Sequence, residues 1–195
     1  LGAAANVVAV DRVEGGSRGE ILVAAGRIAR AFDLSGREKT SFDVGTGMMA
    51  LARIDDWLVV GFKEGNIQLV PVAADAARPT FAFEAVPPSP VTRIVAGPTG
   101  TLIAGFGNGL LGIWSLANGA QIDSHKMHGP VEHLLRDNAK LYAATSLGDW
   151  LVLDLAVFEA EYCDLLRSVW RRVPVVWEGG LPAPRPPPRG HRCRL

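Results

Sequence analysis

The chain has 195 residues, 48% of them hydrophobic and 21% charged, the composition of a globular protein rather than a disordered one. Its 20 basic and 20 acidic residues cancel, so the chain as a whole gives no electrostatic case for nucleic acid or an anionic membrane surface. No apolar run approaches the ~18 residues of a membrane-spanning helix, and the first residues lack the basic region and long apolar stretch of a secretory leader.

Short strand-like runs follow one another from the start. A first block, about residues 6–45, carries runs at 6–13, 20–25, 27–34 and 39–44, with turns at Gly15-Gly16 and Ser35-Gly36. A second, 46–86, carries runs at 48–54, 57–62, 66–72 and 80–85, and a third, 88–128, at 91–96, 101–106, 110–116 and 120–124. A fourth, 129–156, carries 131–136, 140–145 and 150–155 and then stops one strand short. Runs of this length, punctuated by Gly, Pro, Asn and Asp, are an all-β pattern.

The blocks repeat. The segment from Leu58 to Leu69 realigns on Leu102 to Ile113, 44 residues later, and on Leu141 to Val152, 39 further on, with a fainter copy at Ile21 to Ile28. Each full copy is an apolar strand, a turn ending in Gly65, Gly109 or Gly148, and a second strand. A period of about 40–45 residues built on that unit is the mark of a β-propeller blade. The expectation is an all-β fold: an incomplete propeller of about four blades of four-stranded antiparallel sheet over residues 1–156. Because the chain opens directly into a strand and its last block lacks a strand, it reads as the C-terminal part of a longer protein.

After Leu155 the period changes. Phe158, Tyr162, Leu165, Leu166, Val169, Trp170 and Val173 mark one face of a helix. Glu159, Glu161 and Asp164 lie early in it and Arg167, Arg171 and Arg172 late, as the helix dipole favours, and Pro174 ends it. Residues 175–183, with Gly179-Gly180 at the centre, suggest a small hairpin, and a Pro/Arg-rich tail closes the chain. Residues 157–195 are therefore expected to form an amphipathic helix, a hairpin and an extended tail.

The third block carries a family resemblance. Pro98 and Gly100 sit at a turn between its first two strands, Asn108-Gly109 at an Asp-Gly-type turn, and Trp114-Ser115 where a Trp-Asp pair would stand. With these residues the block resembles a WD40 repeat. The family's Gly-His pair is missing, Ser115 replaces the usual Asp, and Val70 and Leu153 stand where the second and fourth blocks would carry the Trp, although Asp154 follows the latter. The resemblance implies a rigid propeller that binds protein or peptide partners through loops, in bacterial proteins where it often follows a Ser/Thr kinase or another signalling domain. It thus implies a cytoplasmic scaffold or sensor module, with a kinase domain upstream as one arrangement.

Catalytic and cofactor signatures are missing: there is no Walker A loop, G-x-S-x-G elbow, H-E-x-x-H helix or kinase element. The run Gly105-Phe106-Gly107-Asn108-Gly109 joins two strands of a repeat rather than a strand to a helix, so it reads as a turn and not a nucleotide loop. Asp55-Asp56 reads as a solvated turn with no partner base. Cys163 on the apolar helical stripe reads as a small buried thiol. The alternatives are a disulfide to Cys193, or a zinc site of Cys163, Cys193, His191 and one of His125, His128 and His133. Two cysteines make no disulfide framework, which points to a reducing compartment. Residues Pro184 to Arg189 match a P-x-x-P-x-[KR] peptide, for which a tether or a packed segment is the plainer reading.

The leading expectation is a non-catalytic interaction module without cofactor or metal, binding proteins or peptides but neither nucleic acid nor membrane. Its candidate contact residues are Arg53, Lys63, Glu64, Asn108, Asp149 and Trp150, held by the motif residues Gly65, Gly109, Trp114 and Gly148. The competing expectation is a propeller-fold hydrolase or lyase, which needs acidic or His residues converging from several blades; no such position repeats.

Overall fold

A computed structural model of the chain describes residues 10–12, 20–72, 82–84, 87–173, 175–184 and 190–193. The chain divides into two compact units, Leu1–Leu153 and Asp154–Leu195.

The first unit is built of four antiparallel sheets, each a meander whose strands are neighbours in sequence and in space. Sheet 1 holds β1 (Val10–Arg12), β2 (Glu20–Ala25), β3 (Ile28–Asp33) and β4 (Glu38–Asp43). Sheet 2 holds β5 (Met48–Ile54), β6 (Trp57–Phe62), β7 (Asn66–Pro71) and β8 (Ala82–Glu84). Sheet 3 holds β9 (Val91–Ala96), β10 (Thr101–Phe106), β11 (Leu110–Ser115) and β12 (Gln121–Lys126). Sheet 4 has three strands, β13 (Val131–Asp137), β14 (Lys140–Thr145) and β15 (Trp150–Asp154). The sheets coincide with the four sequence blocks; the Gly15-Gly16 turn lies outside the described residues.

Why the strands sort this way follows from side-chain parity, since successive residues of a strand face opposite sides of its sheet. In β2, Leu22 and Ala24 join Ala29 and Ala31 in one buried cluster with Leu58, Val60 and Phe62 of β6. In β6 the alternate residues, Trp57 and Val59, join Ile67 and Leu69 in a second cluster with Leu102, Ala104 and Phe106 of β10. Every residue of β6 and of β10 is therefore buried. A continuous apolar run is what a strand covered on both faces requires.

The first strands of consecutive sheets are neighbours: β5 packs by β9, and β9 by β13. Small residues make that approach feasible. A Cβ on Gly61 would lie 2.5 Å from Val91 Cγ1, and one on Gly105 2.5 Å from Val131 Cγ1. The Thr92 hydroxyl sits at the sheet 3–sheet 4 junction, within reach of the carbonyls of Gly105 (3.0 Å) and Val131.

The second unit holds α1 (Ala156–Glu159), α2 (Tyr162–Arg172), and a hairpin of β16 (Val175–Glu178) and β17 (Leu181–Pro184). Its helix differs from the single helix expected. Ala160 is extended (φ −70°, ψ 137°) and ends α1, so Glu161 becomes the N-cap of α2 and Asp164 falls in its first turn. The break puts both carboxylates at a helix N-terminus, where the dipole favours them; in one continuous helix they would lie mid-span. Arg171 and Arg172 remain in the last turn. Residues 185–189 of the P-x-x-P match lie outside the described residues.

Candidate functional site

Three turns built alike place most of the candidate contact residues. After β6, β10 and β14, the next residue's amide (Lys63, Gly107, Ser146) donates to the carbonyl of the residue before that sheet's first strand (Gly47, Pro90, Pro130), at 2.8, 2.8 and 3.0 Å. The closing glycine then donates to the strand's last carbonyl: Gly65 to Phe62, Gly109 to Phe106 and Gly148 to Thr145. All three glycines have positive φ, 96°, 84° and 83°. The motif thus sets the same end of sheets 2, 3 and 4, presenting Lys63 and Glu64, then Asn108, then Leu147 and Asp149, with Trp150 opening β15.

The side chains there differ in how free they are. Lys63 and Glu64 are exposed and within 3.6 Å of one another. The Asn108 side chain is tied down: its Oδ1 accepts from the Leu110 amide at 2.9 Å and its Nδ2 donates to the Pro87 carbonyl at 3.4 Å, while its backbone carbonyl accepts from Lys126 Nζ. Asp149 Oδ2 accepts the His128 amide at 2.9 Å, stapling the turn to the segment between β12 and β13. Trp150 is 72% exposed and Leu147 62%. Leu147 was not among the candidates, because an apolar residue in a repeat reads as core.

Arg53 is not part of this group. It lies at the opposite end of sheet 2, where its Nε donates to the carbonyl of Asp55 at 2.8 Å and braces the β5–β6 hairpin. Arg136 does the same for the β13–β14 hairpin, donating to Asn138 at 3.0 Å, and its Nη1 also reaches the Gly97 carbonyl at 2.6 Å. Asp55 and Asn138 share φ 51°. The Asp55-Asp56 pair is thus a two-residue hairpin turn.

Trp114 is 3% exposed and meets Phe106 edge-on at 5.8 Å between ring centroids. Ser115, after it, accepts the Ala117 amide on its hydroxyl at 3.2 Å. The third strands of two other sheets end the same way: Asp33 Oδ1 accepts the Ser35 amide at 2.9 Å, and Asp154 Oδ1 the Ala156 amide at 3.0 Å. Phe32-Asp33 therefore stands in sheet 1 where Trp114-Ser115 stands in sheet 3, an equivalence masked in the sequence because the preceding β2–β3 turn is shorter. The hydrogen bond from the Ser35 hydroxyl, followed by that from the Arg37 amide, holds the Asp33 carboxyl below its ordinary range. Across sheet 1, Arg27 binds Asp43 through Nε at 2.9 Å and Nη2 at 2.7 Å. That hydrogen bond lowers the Asp43 carboxyl and raises the Arg27 guanidinium.

In the second unit Cys163 and Cys193 form a disulfide, S–S 2.04 Å, so Cys163 is not a free thiol there and neither sulfur is free for a metal. Arg167 Nε donates to the Cys193 carbonyl at 2.9 Å, Trp170 meets His191 edge-on at 5.3 Å, and Arg192 lies over Tyr162. His125 lies 3.1 Å from Asp123 on β12. Among the described residues no three His, Cys, Asp or Glu side chains gather as a metal site, and no helix is long and apolar enough to cross a membrane.

The fold places the chain among proteins built from consecutive antiparallel meander sheets. No protein-family model and no curated protein matches it. It is similar to the computationally designed Ika4 protein, with TM-score 0.62 and 18% identity over 79% of this chain and 94% of that one. It is also similar to the computationally designed Ika8 protein, with TM-score 0.60 and 17% identity over 76% of this chain and 45% of that one. At such identities the likeness concerns the fold alone.

Proposed function

We propose that the first unit is an arc of a WD40-like β-propeller, each sheet a blade, and that it serves as a non-catalytic module that docks a protein or peptide partner. The docking edge is the one formed by the turns after β6, β10 and β14. The observation that carries this reading is Leu147 and Trp150, 62% and 72% exposed, flanking Asp149 on a turn fixed by backbone hydrogen bonds. Rigid, exposed aromatic and aliphatic anchors beside charged groups are what interface hot spots are made of, and loops on a rigid scaffold are where binding residues collect. Lys63 and Glu64 add a charged rim two blades away, with Asn108 on the blade between. By its resemblance to bacterial WD40-repeat proteins, the module acts beside a signalling domain, such as a Ser/Thr kinase, of a longer polypeptide.

The test is affinity capture with the intact chain and with two variants, Leu147→Asp and Lys63→Glu, each checked for native circular dichroism. A partner recovered by the wild type and lost with Leu147→Asp supports the reading, with Lys63→Glu weakening capture and its salt dependence. Partners retained equally by both variants would overturn it, as would hydrolase or lyase turnover by the isolated chain.

A further inference from the structure

The repeat positions of sheet 4 are filled as if another sheet followed. Val59 and Ile103 occupy one position of the repeat, Ile67 and Leu111 a second, Leu69 and Ile113 a third, and all six are 0% exposed. In sheet 4 the same positions are Tyr142, Trp150 and Val152, exposed by 40%, 72% and 40%. Leu135, paired with Tyr142 across β13 and β14, is 63% exposed. Ala144 stands where Gly61 and Gly105 admit the first strand of the next sheet. The face carries Leu135, Tyr142, Trp150 and Val152 in the phase of a blade-to-blade contact, with the exposed Asp137 and Lys140 at its hairpin end.

Sheet 1 has the complementary vacancy. Ile21, Val23 and Ala25 occupy the positions of Leu58, Val60 and Phe62 in sheet 2 and of Leu102, Ala104 and Phe106 in sheet 3, the side chains that receive the preceding sheet. They are only half-buried, and Phe32, paired with Ile21, is half-buried beside them. Among the described residues, sheets 1 and 4 of one chain do not neighbour each other as β5 neighbours β9.

We propose that the outer face of sheet 4 binds a second copy of this chain, which offers the outer face of its sheet 1, and that the two copies close into a dimer with two identical contacts. The unmatched faces are of opposite kind, one donating and one receiving, so a single contact leaves one of each open and the second contact closes the ring. Sheet 4 offers three strands ~4.8 Å apart and ~20 Å long, a projected area of about 290 Å². Two contacts of two such faces then bury about 1,150 Å², above the ~1,000 Å² that a specific interface needs. This inference rests on the blade reading of the sheets; Leu147, Lys63 and Glu64 of the docking edge are outside both faces, whereas Trp150 lies on the sheet 4 face, so in the dimer the edge presents Leu147 without Trp150.

The test is sedimentation velocity of the full chain over a wide concentration range, with Tyr142→Glu and Val23→Lys variants that keep wild-type circular dichroism. The wild type is expected at twice the 20.8 kDa of one chain. Each variant alone should be monomeric, weakened by about 100-fold or more, as expected for a charge placed in an apolar contact. Mixing the two should restore the dimer, because one junction keeps both native faces and the other sets Glu against Lys. A wild type that stays monomeric overturns the proposal, whether a further segment or its own sheet 1 covers the face. So does a dimer insensitive to Val23→Lys, which would mean sheet 4 packs on sheet 4, and so does an open-ended polymer. Retention of partner capture by a monomeric wild type would leave the docking edge standing while this inference fell.

Discussion

Sheets 3 and 4 carry the same repeat and meet opposite fates. In β10 all six residues are buried; in β14 burial alternates, with Leu141, Ala143 and Thr145 covered and Lys140 and Tyr142 exposed. The strands have the same length, the same phase and the same closing turn. What differs is the neighbour: β10 lies between sheets 2 and 4, whereas β14 has sheet 3 on one side. Burial in a stacked-repeat protein is thus a property of position in the row, and an identical pattern yields a core strand or a binding face according to what stands next to it.

The largest test of that contrast substitutes one repeat position in both sheets. Ile113→Ala empties a fully buried site and should destabilise the first unit by about 3–4 kcal/mol. Val152→Ala, at the same position in sheet 4, should cost the monomer below ~1 kcal/mol. Urea denaturation of the two variants below the concentration of self-association reads the difference, and equal losses would mean that sheet 4 is covered after all. A second test uses the closing turns. Gly109 and Gly148 share φ near 84° and 83°, a conformation that disfavours a side chain by ~1–2 kcal/mol. At Gly109, however, a Cβ would also meet the carbonyl oxygens of Met127 at 2.3 Å and Gly129 at 2.7 Å, while at Gly148 nothing lies within 4 Å. Gly109→Ala should therefore lose about 3 kcal/mol and Gly148→Ala only the ~1–2 kcal/mol of the backbone conformation.

Much of this contrast was legible in the sequence. Period, strand order and three turn glycines follow from the chain, because alternation, turn chemistry and Gly spacing are local signals. So was the short fourth block. Neighbour-dependent facts were not. Arg53 looked like a loop contact, yet its guanidinium braces its own hairpin, as Arg136 does in sheet 4; a long cationic side chain beside a turn carries no sequence mark of where it will fold. Leu147 was passed over because an apolar residue in a repeat is usually core. Phe32-Asp33 escaped alignment with Trp114-Ser115 because the two-residue turn at Gly26-Arg27 shortens the spacing. The helix break at Ala160 was invisible to the apolar stripe, which runs through it without a change of phase.

A smaller effect probes the junction between the two sheets. The Thr92 hydroxyl has one proton and two carbonyls within reach, Gly105 in its own sheet and Val131 in the next. Thr92→Val removes the donor while keeping the shape, and should cost about 1 kcal/mol. If the bond tethers the junction, amide exchange should quicken in β13 and remain slow in β6, which lies on the far side of sheet 3.

The smallest effect separates the chemistry of equivalent turns. Asp33 and Ser115 close β3 and β11 alike, each accepting an amide two residues on, but only Asp33 titrates. Its carboxyl is depressed in the folded chain by the Ser35 hydroxyl and the Arg37 amide, as Asp43 is by Arg27. A carboxyl with a lowered folded value binds its proton more readily when unfolded. It therefore supports the fold above the ordinary carboxylate range and loses that support as pH falls from that range through the lower folded value. Asp43 is exposed and Asp33 half-exposed, so solvent screens the contribution and the slope is shallow. Asp33→Asn should flatten the fall in stability below pH ~4 while leaving neutral stability almost unchanged, since the amide oxygen can still accept the Ser35 amide. Ser115→Asp should import the same acid dependence into sheet 3. Thermal melts of both variants at neutral and acidic pH check the sign: an unchanged acid slope in Asp33→Asn would show that the turn geometry, not the ionised carboxylate, is what sheet 1 relies on.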